Sequence, residues 1–222
     1  SVFYNYELFF IDLWGVVHNG IELHKNAINT LSKITEAKKN YILLTNAPRP
    51  NKIVKIFLEN LGLDKSMSEN VFTSGEAALS YLKKNYIDQK FYHIGPPRDF
   101  DLFIDFKNKK TEDLDKSDYL LCTGLYNQHD QDLNYYKELL KNFTSKKMVC
   151  TNPDLIVDRG KKREYCAGSV AMTFEKLGGE VIYFGKPYPE VYNQAIKSNK
   201  KKIIAIGDNL RTDIKGANNM NY

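Results

Sequence analysis

At 222 residues, with 42% hydrophobic and 27% charged side chains, the chain allows one large domain or two small ones and has the composition of a soluble globular protein. No run approaches the roughly 20 apolar residues that span a bilayer, and Ser1 to Phe10 lacks the basic segment and long apolar core of a secretory signal. The net charge of +5 comes from lysines that are scattered or in short runs such as Lys200-Lys201-Lys202, which read as a solvated helix end rather than a nucleic-acid surface. Neither membrane nor nucleic acid is therefore expected as a partner. Cys122, Cys150 and Cys166 show no C-x-x-C spacing, and isolated thiols in apolar settings predict buried, reduced residues in the cytoplasm.

In chain order, Phe9-Phe10-Ile11 drives into Asp12, and a turn bearing Gly15 and Gly20 follows at once. His24 to Lys39 places Ala27, Ile28, Leu31, Ile34 and Ala37 at helix spacing, with a lysine-rich exit. The strand Tyr41–Leu44 ends at Thr45-Asn46. After Pro48 and Pro50 a helix follows, with Ile53, Val54, Ile56, Phe57 and Leu61 as its apolar face and Gly62 past its end. Val71-Phe72-Thr73 is a third short core strand, followed by a helix over Gly75–Lys84.

From about Tyr86 the register changes. Strands are predicted at Phe91–Ile94, Tyr119–Cys122 and Met148–Cys150, with a charged stretch over Lys107–Asp118. Helices are predicted over Asp132–Phe143 and Ser169–Leu177, the latter ended by Gly178-Gly179. The loop Gly124 to His129 is polar and follows a strand, so it reads either as substrate-facing or as an ordinary loop. The core resumes with Val181–Phe184, which leads into Gly185-Lys186-Pro187, then a helix over Glu190–Lys197. The last strand, Ile203–Ile206, delivers Gly207-Asp208-Asn209, and a helix near Leu210 carries Asp213. The predicted fold is α/β, a Rossmann-like doubly wound parallel-sheet core from 1–85 and 179–222 with an inserted α/β cap domain over 86–178.

Near-continuous apolar runs bounded by Gly, Pro or Asn read as parallel strands buried on both faces. Such strands bring their C-terminal ends to one edge, where ligands of open α/β sheets bind. Asp12, Thr45, Lys186 and Asp208 should therefore converge. Two carboxylates at close range need a cation between them, and Mg²⁺ suits oxygen ligands while keeping waters for a phosphate to displace. A lysine and a hydroxyl nearby suit a phosphoryl group, and an aspartate can attack phosphorus.

These segments resemble motifs of the haloacid dehalogenase (HAD) superfamily. Asp12-Leu13-Trp14-Gly15-Val16 is similar to the first, Leu44-Thr45-Asn46 to the second, Lys186-Pro187 to the third, and Gly207-Asp208-Asn209 with Asp213 to the fourth. Val71–Ser74, Thr151–Asp154 and Cys166–Gly168 resemble its subfamily IIA, the NagD-like phosphatases with an inserted C2-type cap. The resemblance implies Mg²⁺-dependent hydrolysis of a small phosphorylated metabolite through an aspartyl phosphate on Asp12. Mg²⁺ would be held by Asp12, the Trp14 carbonyl and Asp208, with Asp213 as a ligand or as the partner that orients Lys186. Thr45, Asn46, Asn209 and Lys186 would hold the phosphoryl oxygens. In the cap, Asn152 and Asp154 read either as substrate-facing or as turn chemistry. A homodimer through the cap, and a further strand and helix beyond Tyr222, are also implied.

One position departs from the pattern. Phosphatases of the superfamily usually carry a proton-donating aspartate two residues after the nucleophile, and Trp14 stands there. Indole donates a hydrogen bond but cannot usefully give up its proton, and a missing general acid typically costs on the order of 10² to 10⁴ in rate. His18 is either a substitute acid or a turn or partly exposed histidine. Two alternatives remain open: a phospholigand-binding protein that turns over slowly, and a metal-independent dehalogenase, against which the acidic pair near Asp208 argues.

Overall fold

The computed structural model describes residues 2–159, 162–196 and 202–222. Lys197, at the end of the predicted helix, and Lys200 and Lys201 of the lysine run lie outside the described residues. The chain begins with β1 (Leu8–Ile11), α1 (Lys25–Glu36), β2 (Asn40–Thr45), α2 (Asn51–Asn60), α3 (Lys65–Ser68) and β3 (Val71–Thr73). There follow α4 (Ser74–Asn85), β4 (Phe91–Ile94), an irregular 3-10 segment (Pro97–Lys109), β5 (Lys110–Thr111) and β6 (Tyr119–Cys122). Next come α5 (Leu133–Leu140), β7 (Lys147–Cys150), β8 (Ile156–Arg159), β9 (Lys162–Tyr165), α6 (Ala167–Lys176) and β10 (Glu180–Tyr183). The chain closes with α7 (Pro189–Ala195), β11 (Ile203–Ile206), a π-type turn (Leu210–Ile214) and α8 (Lys215–Asn219). These elements form two compact units, one of Ser1–Thr45, Asn51–Thr73 and Lys186–Tyr222, the other of Asn46–Pro50 and Ser74–Gly185.

The first unit holds a parallel sheet in the order β11-β1-β2-β3. All of β1 is buried, which is why it reads as an unbroken apolar run. Phe10 packs edge-on against Tyr192 at 5.4 Å and stacks on Tyr222 at 5.7 Å. Leu31 and Ile34 are the buried side chains of α1, and Val54 and Leu58 those of α2. Ile56, predicted on the apolar face of α2, is instead 45% exposed. It lies two residues from both Val54 and Leu58, hence on the opposite side of the helix. From β1 the sheet grows through β2 to β3, and β11 lies on the other side of β1. The crevice outside the ends of β1 and β11 is thus the reversal point where ligands of open α/β sheets bind.

The second unit holds a parallel sheet in the order β10-β7-β6-β4-β5 and an antiparallel hairpin, β8-β9. Its core gathers Leu120, Tyr136, Met148, Phe174 and two of the cysteines. All three cysteines are buried and outside any disulfide. The predicted core strand Val181–Phe184 belongs here instead, as β10, which pairs Val181 with Met148 and Tyr183 with Cys150. Only Leu177 to Gly179 separates α6 from β10, so the strand must return beside β7, the nearest sheet strand before that helix. Helix α4 also lies in this unit. β5 inside the charged stretch and the hairpin β8-β9 were not predicted, being short or exposed and lacking an apolar run. Among the described residues no helix is long and apolar enough to cross a membrane.

Candidate active site

The site assembles at the reversal point of the first sheet. Ile11 is level with Ile206 on one side and Leu43 on the other. The Asp12 N–H extends the ladder by donating to the Ile206 carbonyl at 2.9 Å. Asp12 therefore leaves the sheet beside Gly207. Two glycines permit the close approach that follows. Gly15 has φ +85°, and a Cβ there would lie 2.1 Å from Asp208 Oδ2; a Cβ on Gly207 would lie 2.1 Å from Asp213 Cγ. Asp213 is carried by the π-type turn, which Asn209 caps by accepting the Arg211 N–H at 2.9 Å. The Asn209 N–H in turn donates to Asp213 Oδ2 at 3.2 Å.

Lys186 reaches this cluster from the segment after Gly185 rather than from the end of a core strand. It is only 4% exposed. Its Nζ donates to Asp12 Oδ1 at 2.5 Å, Asp213 Oδ1 at 2.7 Å and the Leu44 carbonyl at 3.0 Å. Those three bonds use all three ammonium protons. Burial pulls the Lys186 pKa down, but Asp12 and Asp213 outweigh it and hold the ammonium raised. Desolvation, with Asp213 nearby, raises Asp208.

One oxygen each of Asp12, Asp208 and Asp213 lies within 4.8 Å of the others. When ionised, three carboxylates against one ammonium leave two negative charges uncompensated, the charge a divalent cation would balance. An all-oxygen donor set of this kind fits Mg²⁺. The same arrangement predicts that Lys186→Met, which strands Asp12 and Asp213 in a buried setting, lowers stability by about 3–5 kcal/mol. Urea unfolding of the metal-free protein measures this. A loss below about 1 kcal/mol would mean that the ammonium does not hold the carboxylates.

The remaining predicted residues have local partners. Thr45 is buried at the end of β2, level with Thr73 of β3. In the second unit, Asn46 Nδ2 donates to Asp154 Oδ1 at 2.9 Å, and the Asp154 N–H donates to Asn152 Oδ1 at 3.0 Å. The second bond closes a turn over Asn152 to Asp154, and the first ties Asn46 to it. His18 is a turn residue, as one reading expected, but at 3% exposure it is buried rather than partly exposed. Its Nδ1 accepts the Gly20 N–H at 2.9 Å, and its ring packs edge-on against Trp14 and Phe57, each at 5.4 Å. The Trp14 indole lies against Gly20, where a Cβ would be 2.5 Å from the ring.

A second polar cluster escaped sequence reasoning. In the second unit His93 Nε2 lies 2.9 Å from Thr123 Oγ1, and Thr123 hydrogen-bonds the buried Asp99. The available signal was polar residues at or just beyond the ends of β4 and β6. Burial, with Lys110 adding to it, drives His93 down to about 3, and burial raises Asp99 to about 6 against the pull of Thr123. Between about pH 3.8 and 6 the folded Asp99 keeps a proton that the unfolded chain has lost, so its contribution to stability falls as pH rises. From about pH 3 to 6.5 the folded His93 lacks a proton that the unfolded chain binds, so its contribution rises with pH. The two oppose each other where they overlap. His93→Gln should therefore unmask a loss of stability from about pH 4 to 6, and Asp99→Asn a gain. Denaturant midpoints across that range check both signs; parallel curves for both variants and the parent would refute them.

Comparison with known proteins agrees with this geometry. A family model described as haloacid dehalogenase-like hydrolase matches residues 9–106, and a second, described as HAD-hydrolase-like, matches residues 183–222. A crystal structure of a haloacid dehalogenase-like family hydrolase from Brucella suis 1330 is 31% identical, with a TM-score of 0.91, covering 99% of this chain and 87% of that one. Phosphoglycolate phosphatase 2 of Arabidopsis thaliana is 25% identical over 96% of this chain and 80% of its own length. Glycerol phosphate phosphatase of Mycobacterium tuberculosis, crystallised with magnesium, shares the fold at 23% identity and a TM-score of 0.73, over 98% of this chain and 67% of that one.

Proposed function

The chain belongs to the haloacid dehalogenase-like hydrolase family, with the fold of its subfamily IIA branch, and from that premise we propose that it hydrolyses a small phosphomonoester through an aspartyl phosphate on Asp12, with Mg²⁺ as cofactor. The observation that carries this reading is a cluster of three carboxylates, two of them paired with one buried ammonium, that leaves two negative charges unbalanced. Asp12, Asp208 and Asp213, with the Trp14 carbonyl, would hold the ion. When bound, Mg²⁺ offsets the charge of the phosphoryl oxygens.

Lys186 fixes the Asp12 carboxylate by its Oδ1. An Asp12 oxygen bonds to phosphorus as the ester P–O bond breaks and the alkoxide departs. Water then attacks phosphorus, the bond to Asp12 breaks, and phosphate and the free carboxylate result. Thr45 and Asn209 bind the phosphoryl oxygens in this reading, Lys186 adds its positive charge while its protons hold Asp12 and Asp213, and the second unit serves as the cap that selects the substrate. Because Trp14 cannot protonate the alkoxide, the proton comes from water, and esters with poor leaving groups turn over slowly. Two relatives named for phosphoglycolate and glycerol phosphate favour a small phosphorylated metabolite. Buried cysteines outside any disulfide favour a cytoplasmic setting.

Trp14 favours one second reading, a phospholigand-binding protein that turns over very slowly. Phosphate release from a panel of esters, with Mg²⁺ and with EDTA, separates the two. Turnover is expected with Mg²⁺ and its loss with EDTA. Phosphomimic binding without turnover of even a nitrophenyl ester would favour the second reading, and metal-independent turnover would sink the metal assignment.

A further inference from the structure

The second sheet has its own reversal point. From β4 the chain goes to β5 on one side, then to β6 on the other side of β4, and outward through β7 to β10. That is the doubly wound order in which a ligand binds outside the C-terminal ends of the first and third strands, here β4 and β6. A cavity of about 610 Å³ opens there, within the range of small-molecule sites. It is lined by β4 and β5, by the segments after β4, β5 and β6 and by Tyr135 of α5, all in the second unit. The polar loop Gly124 to His129, singled out in the sequence, supplies part of its wall.

The wall is aromatic. His129 and Tyr135 stack with centroids 3.6 Å apart and an interplanar angle of 7°, and Tyr126 stands edge-on to Tyr135 at 6.2 Å. The Tyr126 hydroxyl is tied to the His93 carbonyl at 3.1 Å. His93 itself lines the cavity, and its polarity follows from its neighbours. Above about pH 6, where Asp99 is ionised, its carboxylate can only accept, so Thr123 donates its single proton to Asp99 and accepts from His93 Nε2–H. That tautomer leaves Nδ1 as an acceptor on a cavity-lining ring. Lys110, also in the lining, is paired with Glu112 at 2.6 Å, so the cavity shows no net charge to attract a phosphate. The amides of Asn127 and Gln128 add donors and acceptors.

We propose that this cavity binds an uncharged heteroaromatic ring of nucleobase type, which donates a ring or amino N–H to His93 Nδ1 and lays its face against the Tyr126, His129 and Tyr135 wall. Stacking suits any flat π-system, whereas the acceptor at His93 selects rings that carry an N–H.

The test titrates the full chain with adenosine, guanosine, cytidine and uridine, with phenylacetate as a flat ring lacking N–H, by saturation-transfer NMR and calorimetry. Nucleosides carry no phosphoryl group, so the measurement does not depend on the hydrolytic reading. At least one nucleoside should bind with a Kd below about 1 mM. Tyr135→Ala should weaken binding about tenfold or more and leave ester hydrolysis unchanged. His93→Phe should do the same; should that variant not fold, Tyr135→Ala and Asn127→Ala decide the question. Absence of nucleoside binding at about 10 mM, unchanged affinity in Tyr135→Ala, or equal binding of phenylacetate would overturn the proposal.

Discussion

Asp12→Asn is expected to abolish turnover, with a fall in kcat on the order of 10⁵-fold or more. The amide keeps the side-chain volume and an oxygen that can accept from Lys186, so the fold should persist, but an amide does not attack phosphorus. The substitution also removes one of three clustered negative charges, so the affinity for Mg²⁺ should fall as well. Phosphate release, Mg²⁺ titration by calorimetry and acid-quench trapping of phosphorylated protein give independent readouts. A folded Asp12→Asn variant retaining more than about one hundredth of the parent rate would place the nucleophile elsewhere.

Trp14→Asp is expected to raise kcat. A positioned carboxylic acid two residues after the nucleophile should speed the departure of an alkoxide by about 10² to 10⁴. The gain should be largest for alkyl phosphates and small for nitrophenyl phosphate, whose leaving group needs little protonation. It comes with a structural cost, because the indole lies against Gly20 and edge-on to His18. Deleting it leaves space that the glycine turn cannot fill, for a stability loss on the order of 2 kcal/mol. Steady-state rates on the two ester classes, set beside thermal unfolding, separate these effects. Unchanged rates on both classes would show that this position does not deliver a proton.

How much of the molecule was legible depended on whether its cause was local. The runs of β1 and β6 could be read because strands covered on both faces leave little room for polar residues. β5, β8 and β9 could not, since two-residue or exposed strands obey no such constraint. The run that became β10 was legible as a strand but not in its sheet, because alternation says which faces are buried and not which strand lies alongside. Asp12 and Asp208 were legible as polar residues just beyond apolar runs, and Asp213 as carried by the helix that follows the last of them. Asn46, Asn152 and Asp154 have side chains suited to either a ligand or a turn, and the partner that Asn46 bonds is 108 residues away.

The amino-acid order by itself determined the α/β class, the aspartates that end or follow apolar runs, and the indole where a proton donor is usual. Only the tertiary structure decided that Lys186 sits between Asp12 and Asp213 with every proton used, and that His93, Thr123 and Asp99 form a chain at the edge of a second sheet. The reason is physical. Strand and helix formation follow from backbone geometry and burial over a few residues, whereas the charge balance of a buried site is set by groups far apart in the chain, brought close by strand order and the glycines that let backbones approach.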